Sequence, residues 1–361
     1  MKIRILVIIL VIVLAAVSIF MITRNTKSNY RVDDLDCMVD IHLHLDGAIS
    51  VDSAKELAKI HNIDIPDTDE EILSLLRVDK DCKDLNEFLT KLSYPKAFLQ
   101  TKEGITLAIK NLLNELKEQG VMYAEIRFAP MHSTKNGLSQ DEVVQIALDA
   151  LKVDGIETNL ILCCIRGNDK HSQNIETINV AEKYLGKGVV AVDLAGAEGL
   201  YDTADYEDIF EIARDKNIPI IIHAGEAAGA ESVDKALDFG AVRIGHGVRS
   251  LEDEEVVKRL VDNNIPLELC PTSNVLTAIY PSIDKWPLKE LMDRGIYITI
   301  NTDDPSVEGT TIKEEYQNLI DTYNLSKDDV KSFLINGVNA SFASDDLKRK
   351  MLAKIESNFN N

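Results

Sequence analysis

Short apolar runs alternate with longer amphipathic stretches along most of this sequence. The runs are rich in β-branched residues and lack a polar alternation, a pattern typical of parallel strands that are buried on both faces. Eight runs show this pattern, at residues 38–43, 121–128, 158–165, 189–194, 218–223, 241–244, 265–269 and 296–300. The sequence therefore predicts an eight-stranded parallel sheet.

The stretches between the runs carry apolar residues at three- and four-residue spacings, as amphipathic helices do. Clear examples span residues 138–151, 172–185, 206–216 and 251–263. Eight strands that alternate with helices indicate the α/β class and a (β/α)8 TIM-type barrel. The interval 47–120 is much longer than one crossover needs, so we expect extra helices after strand 1 that form a lid over a site at the strand ends.

The first residues follow a different pattern. Residues 5–23 contain no charged side chain, and basic residues flank them on both sides. At about 1.5 Å per residue, such a helix just crosses a hydrocarbon core of roughly 30 Å. We therefore predict a signal-anchor or transmembrane segment at 1–24, a linker at 25–36 and a catalytic barrel at 37–361. A cleaved signal peptide is the alternative, with the small-x-small triplet at residues 16–18 as its cleavage site.

This segment implies a membrane-anchored protein whose catalytic domain is extracytoplasmic, or a secreted protein if the segment is cleaved. The five cysteines give export no support, because their number is odd and their spacing matches no disulfide framework. Cys163, Cys164 and Cys270 stand in or beside apolar runs, so we expect buried free thiols.

Composition restricts the possible partners. The chain has 361 residues, of which 39 are Lys or Arg and 60 are Asp or Glu. Residues 1–27 hold four basic residues and no acidic one, which leaves 35 basic against 60 acidic residues and a formal charge of −25 on the remainder. A nucleic-acid partner needs a basic footprint, so this acidity excludes that class. The sequence predicts no particular oligomeric state.

Polar side chains cluster where the predicted strands end, which is where the active sites of barrels lie. Strand 1 ends in HLHLDG (42–47), strand 4 in DLAGAEG (193–199), strand 5 in HAGE (223–226), strand 6 in GHG (245–247) and strand 8 in NTDDP (301–305). Four of the seven histidines stand at these ends, which indicates a metal centre. We expect His61 on a helix surface, and His132 and His171 at the rim.

His42 and His44 are two residues apart, so in a strand both imidazoles point into the barrel and offer zinc two nitrogen ligands. His223 adds a third nitrogen from strand 5, and Asp303 adds a carboxylate from strand 8. This set leaves a position open for water, as a catalytic zinc requires. The sequence thus predicts one Zn²⁺ per chain, although the same ligands could hold another metal.

Taken together, HLHLDG, DLAG, HAGE, GHG, CPTSN (270–274) and NTDDP resemble the motifs of the adenosine deaminase family, within the amidohydrolase superfamily. They occur in the family's order and span residues 38–305. Each motif alone is weak, but the combination is specific. The resemblance implies zinc-dependent hydrolysis of adenosine or 2′-deoxyadenosine to inosine or deoxyinosine and ammonia, in purine salvage or catabolism.

The resemblance also implies roles for individual residues. The zinc ligands would be His42, His44, His223 and Asp303. A hydroxide on the zinc would attack C6 of the purine, while Glu226 would protonate N1, which requires a carboxyl group with a raised pKa. His246 would orient the attacking water, and Asp303 would assist in proton transfer.

Substrate contacts are implied in the same way. Asp304 would contact purine N7, and the backbone of Gly196 would face N3. Asp46 would accept a hydrogen bond from the ribose 5′-hydroxyl, with His44 as a further substrate contact. A carboxylate at Asp46 would repel a 5′-phosphate, so the expected partner is a small purine nucleoside.

Two positions depart from the family pattern. Phe88 in the first insertion would form a pocket wall, but Leu92 stands where a second aromatic residue is expected, and Ala197 replaces an acid often seen after the glycine. Both departures concern affinity and substrate range.

Two alternatives remain open. One is a deaminase of another 6-aminopurine, such as adenine or a 5′-modified adenosine, which Asp46 disfavours. The other is an exported, non-catalytic adenosine-binding relative, which the retention of Glu226 together with every ligand disfavours.

Overall fold

The computed structural model describes residues 30–360. Eight parallel strands form within this range, and each overlaps one of the predicted runs. They are β1 Met38–His44, β2 Val121–Phe128, β3 Glu157–Ile165, β4 Val189–Ala195, β5 Ile221–Ala224, β6 Arg243–His246, β7 Pro266–Leu269 and β8 Tyr297–Ile300. The strand number and order predicted from the apolar runs are confirmed.

The strands pair in sequence order within two four-stranded halves, β1 to β4 and β5 to β8. Parallel bridges join the halves on both sides, between Val192 and Ile220 and between Leu43 and Asp303. At the second junction the Asp303 N–H donates to the His42 carbonyl at 2.8 Å. The sheet is therefore a closed barrel, and its closure brings the end of β1 against the end of β8.

Two strands begin two or three residues later than the sequence predicts. β5 begins at Ile221, because Pro219 has no N–H to give to the sheet and Ile220 forms only an isolated bridge. β6 begins at Arg243 and runs on to His246. Both strands therefore carry a histidine in their last two positions, at the mouth of the barrel.

Helices fill the connections and cover the outside of the barrel. Within residues 30–360 the α-helices are α1 Val51–His61, α2 Asp69–Leu76, α3 Leu85–Lys91, α4 Ser93–Phe98, α5 Lys102–Glu118, α6 Gln140–Ala150, α7 His171–Tyr184, α8 Glu207–Asp215, α9 Ala230–Asp238, α10 Glu254–Asp262, α11 Pro271–Leu276, α12 Leu288–Asp293, α13 Pro305–Glu308, α14 Ile312–Tyr323, α15 Lys327–Ala340 and α16 Asp345–Asn360. Short 3-10 helices span Asp46–Ala48, Pro130–Ser133, Thr203–Tyr206, Val248–Glu252 and Ile283–Lys285. Polar caps define several helix starts, as where the Ser139 hydroxyl accepts the Glu142 N–H at 3.2 Å.

The long interval after β1 folds into the helices α1 to α5, as the sequence predicts. It docks on the barrel mouth through a hydrogen bond from the Val78 N–H to the Val307 carbonyl at 2.9 Å. A small apolar cluster that includes Phe88 and Leu92 of the insertion and Val307 of α13 closes this contact. Since α13 directly follows β8 and its acidic motif, the insertion packs beside the carboxylates at the barrel mouth.

The chain before β1 also contacts the barrel. Val32 and Leu35 are buried in the main core, and the Val32 N–H donates to Gln317 Oε1 at 3.4 Å. They belong to the predicted linker 25–36, so the second half of that linker packs against the barrel. Every helix within residues 30–360 is too short or too polar to span a bilayer. The predicted membrane segment at 5–23 lies outside the described residues.

All five cysteines are buried and free: Cys37, Cys82, Cys163, Cys164 and Cys270. This confirms the prediction of buried free thiols made for Cys163, Cys164 and Cys270 from their positions in or beside apolar runs.

Candidate active site

A cavity of about 240 Å³ opens at the C-terminal ends of the strands, beside the helical insertion. It is lined by nine of the ten predicted site residues, namely His44, Asp46, Phe88, Gly196, His223, Glu226, His246, Asp303 and Asp304. The tenth, His42, is fully buried next to them. The structure thus brings together all ten predicted site residues.

Four of these residues converge on one point. The ligand atoms of His42, His44, His223 and Asp303 all lie within 4.8 Å of one another. His44 Nε2 lies 3.1 Å from His223 Nε2, and Asp303 Oδ1 lies 3.2 Å from His42 Nε2. Burial lowers the pKa of His44 to about 3, so its imidazole is neutral and keeps a lone pair for a metal ion.

Two carboxylates behind the histidines determine which nitrogen faces the cluster. Asp193 Oδ2 lies 2.9 Å from His223 Nδ1, and Glu268 Oε2 lies 2.8 Å from His42 Nδ1. Because an ionised carboxylate only accepts, each Nδ1 carries the hydrogen and each Nε2 keeps its lone pair. His42 Nε2 is buried and has no hydrogen-bond partner among residues 30–360. Three imidazole nitrogens and a carboxylate, without thiolates, fit a zinc ion with an open position.

A buried ionic network supports these two carboxylates. Arg127 donates from Nη1 to Asp193 Oδ2 at 2.9 Å and from Nη2 to Glu268 Oε2 at 2.8 Å. Arg243 Nε lies 2.5 Å from Glu268 Oε1. Burial alone would raise the pKa of Glu268, but Arg127 and Arg243 outweigh burial and lower that pKa.

Glu268, Arg127 and Arg243 were not predicted from the sequence. A signal was present, because each stands within one of the predicted strand runs, and these strands are almost entirely buried. A buried charge is costly unless it is paired, so charged residues on several such strands imply partners inside the barrel.

Glu226 lies just beyond β5 and is 3% exposed. Burial, together with the carboxylates of Asp303 and Glu198, raises the pKa of Glu226 well above its usual range. A raised pKa favours the protonated carboxyl group, which is the form that can act as an acid. His246 Nε2 lies 3.7 Å from Glu226 Oε2 and 3.6 Å from Asp303 Oδ2, so these three groups face the same part of the cavity.

Glu198 holds the backbone that carries Glu226. Its carboxylate accepts hydrogen bonds from the N–H groups of residues 225, 226, 227 and 228 at 2.6 to 3.0 Å. The Ser232 hydroxyl donates to it as well, at 2.5 Å. The sequence analysis noted only that Ala197 is not acidic and missed Glu198, although this residue comes next in the DLAGAEG motif.

Asp304 packs against Gly47 of the HLDG motif. A Cβ atom at residue 47 would come within 1.6 Å of Asp304 Oδ1, so only glycine leaves room for this carboxyl group. Burial and the carboxylates of Asp303 and Asp46 raise the pKa of Asp304 well above its usual range. A protonated Asp304 can donate a hydrogen bond into the cavity.

The cavity walls include Phe88, Leu92 and Ala197, the positions that the sequence placed at the pocket rim. Gly196 has φ at 108°, a left-handed conformation that favours glycine. Arg166, which the sequence analysis did not single out, also lines the cavity.

The three other histidines lie apart from the metal cluster. His132 lines the cavity, which places it further inside than the expected rim position. His171 is exposed at the start of α7, with Nε2 2.6 Å from Asp208 Oδ2. His61 is in the last turn of α1 and is half-buried beside Gly104.

Comparison with known proteins supports a relationship over the whole barrel. The sequence model of the family described as adenosine deaminase matches residues 38–358. A protein named adenosine deaminase from Haemophilus ducreyi is 44% identical over 331 residues, which cover 89% of this chain and 96% of that protein. One of the same name from Clostridium acetobutylicum is 37% identical over 324 residues, with 88% and 96% covered. The crystal structure of an adenine deaminase from Arthrobacter aurescens matches with a TM-score of 0.82 at 27% identity, and covers 90% of this chain and 99% of its own.

Proposed function

Because the chain belongs to the adenosine deaminase family, whose members are metal-dependent hydrolases that act on C–N bonds, we propose that it hydrolyses adenosine to inosine and ammonia. 2′-Deoxyadenosine is the expected second substrate, with deoxyinosine as its product, in purine salvage or catabolism. The observation that carries this proposal is a buried Glu226 that has a raised pKa and shares one cavity with a four-residue metal-ligand cluster.

One zinc ion would be held by Nε2 of His42, His44 and His223 and by Asp303 Oδ1. When bound, zinc supplies Lewis acidity, which lowers the pKa of water toward neutrality. The carboxylates hydrogen-bonded to the histidines would keep the imidazoles oriented and their Nε2 lone pairs available.

Glu226 would donate its proton to N1 of the purine. Protonation at N1 draws electrons from C6 and makes this carbon susceptible to attack by water. The raised pKa of Glu226 supports this role, because an ionised carboxylate has no proton to give at neutral pH.

His246 and Asp303 would handle the attacking water. Asp303 Oδ1 faces the histidine ligands, whereas Asp303 Oδ2 faces His246 Nε2 at 3.6 Å. His246 would orient the water and stabilise the charge that develops during attack, and Asp303 would accept a proton at Oδ2. Transfer of that proton from Asp303 to the C6 amino group lets the group leave as ammonia when the C6–N bond breaks.

The remaining contacts would position the nucleoside. Purine N7 has a lone pair and no hydrogen, so the raised pKa of Asp304 suits it as the donor to N7. The Gly196 backbone would face N3, Phe88 would form a wall, and His44 would contact the substrate beside Asp46, which would bind the ribose 5′-hydroxyl.

Adenine deamination is the second candidate, favoured by the solved relative of that name. Asp46 argues for the nucleoside, because a free base has no hydroxyl to offer it. A non-catalytic adenosine-binding protein would have no need of a protonated acid beside a metal cluster.

The test is an ultraviolet assay of the purified, zinc-loaded protein with adenosine, 2′-deoxyadenosine, adenine and AMP in parallel. We expect turnover of the two nucleosides. Turnover of adenine alone would favour the second candidate, and turnover of AMP alone would contradict the assignment of Asp46. No turnover of any of the four would overturn the proposal.

We also propose that residues 1–24 anchor the barrel to a membrane, with the catalytic domain extracytoplasmic. The support is the uncharged run at 5–23 with basic residues on both sides. Membrane fractionation with N-terminal sequencing tests this, and an intact N-terminus in the membrane fraction is expected. A mature protein that begins after residue 18 in the soluble fraction would instead show secretion after cleavage.

A further inference from the structure

A basic side chain reaches into this otherwise acidic cavity. Lys96 of α4 lines the cavity together with Asp46, and its Nζ lies 3.4 Å from Asp46 Oδ2. The two side chains are only 23% and 10% exposed, so the ion pair belongs to the cavity wall and not to the outer surface. Nothing in the sequence predicted a cation beside Asp46.

The backbone that carries Lys96 is clamped to the barrel. Gln100 donates from its amide nitrogen to the Lys96 carbonyl at 2.7 Å and to the His132 carbonyl at 2.8 Å. Its amide oxygen accepts the Lys135 N–H at 3.1 Å. Because Gln100 is buried, it ties the insertion to the segment after β2 and keeps Lys96 at this end of the cavity.

Arg166 and His132 also line the cavity, but neither is a cation available to a ligand beside Asp46. Arg166 is the second Lys or Arg in the wall within residues 30–360, and its guanidinium donates to the Tyr201 and His223 carbonyls at 2.8 and 2.7 Å. Burial and the nearby Lys96 lower the pKa of His132 to about 4, so His132 is neutral at neutral pH. Lys96 is therefore the cation available to a ligand beside Asp46.

A hydroxyl group both donates and accepts hydrogen bonds, whereas a carboxylate only accepts and an ammonium group only donates. We propose that Lys96 and Asp46 together recognise the ribose 5′-hydroxyl, with Lys96 donating to its oxygen while Asp46 accepts its hydrogen. Lys96 is then a specificity-determining residue. This inference rests on the proposed function, which places the ribose 5′ position at Asp46.

The pair discriminates between substituents at the 5′ carbon. A 5′-deoxynucleoside offers neither donor nor acceptor, so a partly buried ion pair loses water without a replacement. A 5′-ammonium group satisfies Asp46 but meets the positive charge of Lys96. The hydroxyl is matched to both partners at once.

The test compares kcat/KM for adenosine, 5′-deoxyadenosine and 5′-amino-5′-deoxyadenosine in the wild-type and Lys96→Met proteins. Methionine has a similar length and no charge. We expect the wild type to prefer adenosine to 5′-deoxyadenosine by about 10-fold or more. In Lys96→Met this preference should shrink through a higher KM for adenosine, with kcat little changed. The kcat/KM for the ammonium analogue should rise at least about 10-fold, because Asp46 is left unpaired.

Two further variants separate specificity from structure. Lys91→Met is the matched control, because Lys91 of α3 is also 23% exposed and lies 3.5 Å from a carboxylate, that of Asp79, but does not line the cavity. Lys96→Gln keeps a neutral donor and serves if Lys96→Met does not fold. The kcat/KM for the ammonium analogue should rise in Lys96→Gln as well. Lys91→Met should leave the ratios of kcat/KM among the three nucleosides unchanged.

Unchanged ratios in both Lys96 variants, or equal losses for all three nucleosides, would overturn the inference. Absence of adenosine turnover by the wild type would instead overturn the proposed function.

Discussion

The indole N–H of Trp286 donates a hydrogen bond to the side-chain oxygen of Asn274 at 3.1 Å. An indole nitrogen only donates, so the amide nitrogen of Asn274 points the other way, towards His246 Nδ1 at 3.4 Å. Burial lowers the pKa of His246 well below its usual range, so the ring is neutral. Its hydrogen therefore lies on Nε2, the atom that faces Glu226 and Asp303.

Asn274→Asp should lower kcat by about 100-fold with a smaller change in KM, because a carboxylate would draw the imidazole hydrogen to Nδ1 and present a lone pair to the cavity. Steady-state kinetics with adenosine measure both constants. Trp286→Phe is the control, since it removes the indole donor but leaves an amide beside His246. It should lower kcat less than Asn274→Asp does. A wild-type kcat in Asn274→Asp would contradict this account of the tautomer.

Glu226→Gln should abolish turnover, with a loss of at least about 1,000-fold in kcat, and should retain the metal. The amide keeps the shape of the side chain but cannot give a proton to N1, and it is not one of the four ligands. Kinetics and metal analysis of the same preparation check both halves of the prediction. Residual activity near the wild-type level would contradict the assignment of Glu226 as the acid. Loss of metal would show that Glu226 supports the ligand cluster.

Glu268→Gln should weaken zinc binding by about 10- to 100-fold, because the neutral amide holds the His42 ring less firmly than the carboxylate does. Chelator competition measures the affinity. Glu125→Gln is the matched control, since Glu125 Oε2 lies 2.6 Å from Arg243 in the same ionic network but does not contact a histidine ligand. Both variants should lower the melting temperature, and only the first should lower zinc affinity. Equal zinc affinities would contradict the orienting role.

Glu315 should make stability depend on pH. Burial raises the pKa of Glu315 to about 7 in the folded protein, above its ordinary value of 4.5. The folded state therefore holds this proton more tightly than the unfolded state, so the stabilisation is complete below about pH 4.5 and is lost as pH rises through 7. The cost at high pH is on the order of 3 kcal/mol at most.

Glu315→Gln should remove this dependence, so the variant gains stability over the wild type as pH rises from 5 to 8. Thermal unfolding at matched pH and metal concentration measures the difference between the two proteins. Glu314→Gln, a change at the exposed neighbouring residue, should leave the wild-type profile intact. A constant difference between Glu315→Gln and wild type at all pH values would exclude Glu315 as the source.

The groups that react could be predicted because each stands at the end of an apolar run or within three residues of it, and the ends of parallel strands meet at one rim. The groups that support them could not, because their partners meet only when the barrel closes. His42 and Glu268 are separated by 226 positions, and no local pattern pairs them. Lys96 was not predicted for another reason. The sequence of a short helix in an irregular insertion contains no periodic pattern that indicates how the helix is oriented. The later start of β5 could be expected from Pro219, whose missing N–H breaks the ladder.

The reacting groups all stand at strand ends, whereas Phe88, Leu92 and Lys96 come from one short stretch of the insertion. The two sets lie in different segments of the chain and meet only across the cavity. Exchange of that stretch alone would present a different wall to the sugar and leave the deamination chemistry intact. Substrate range can therefore diverge between descendants of this enzyme, or be redesigned, by replacement of this one stretch while the barrel is kept.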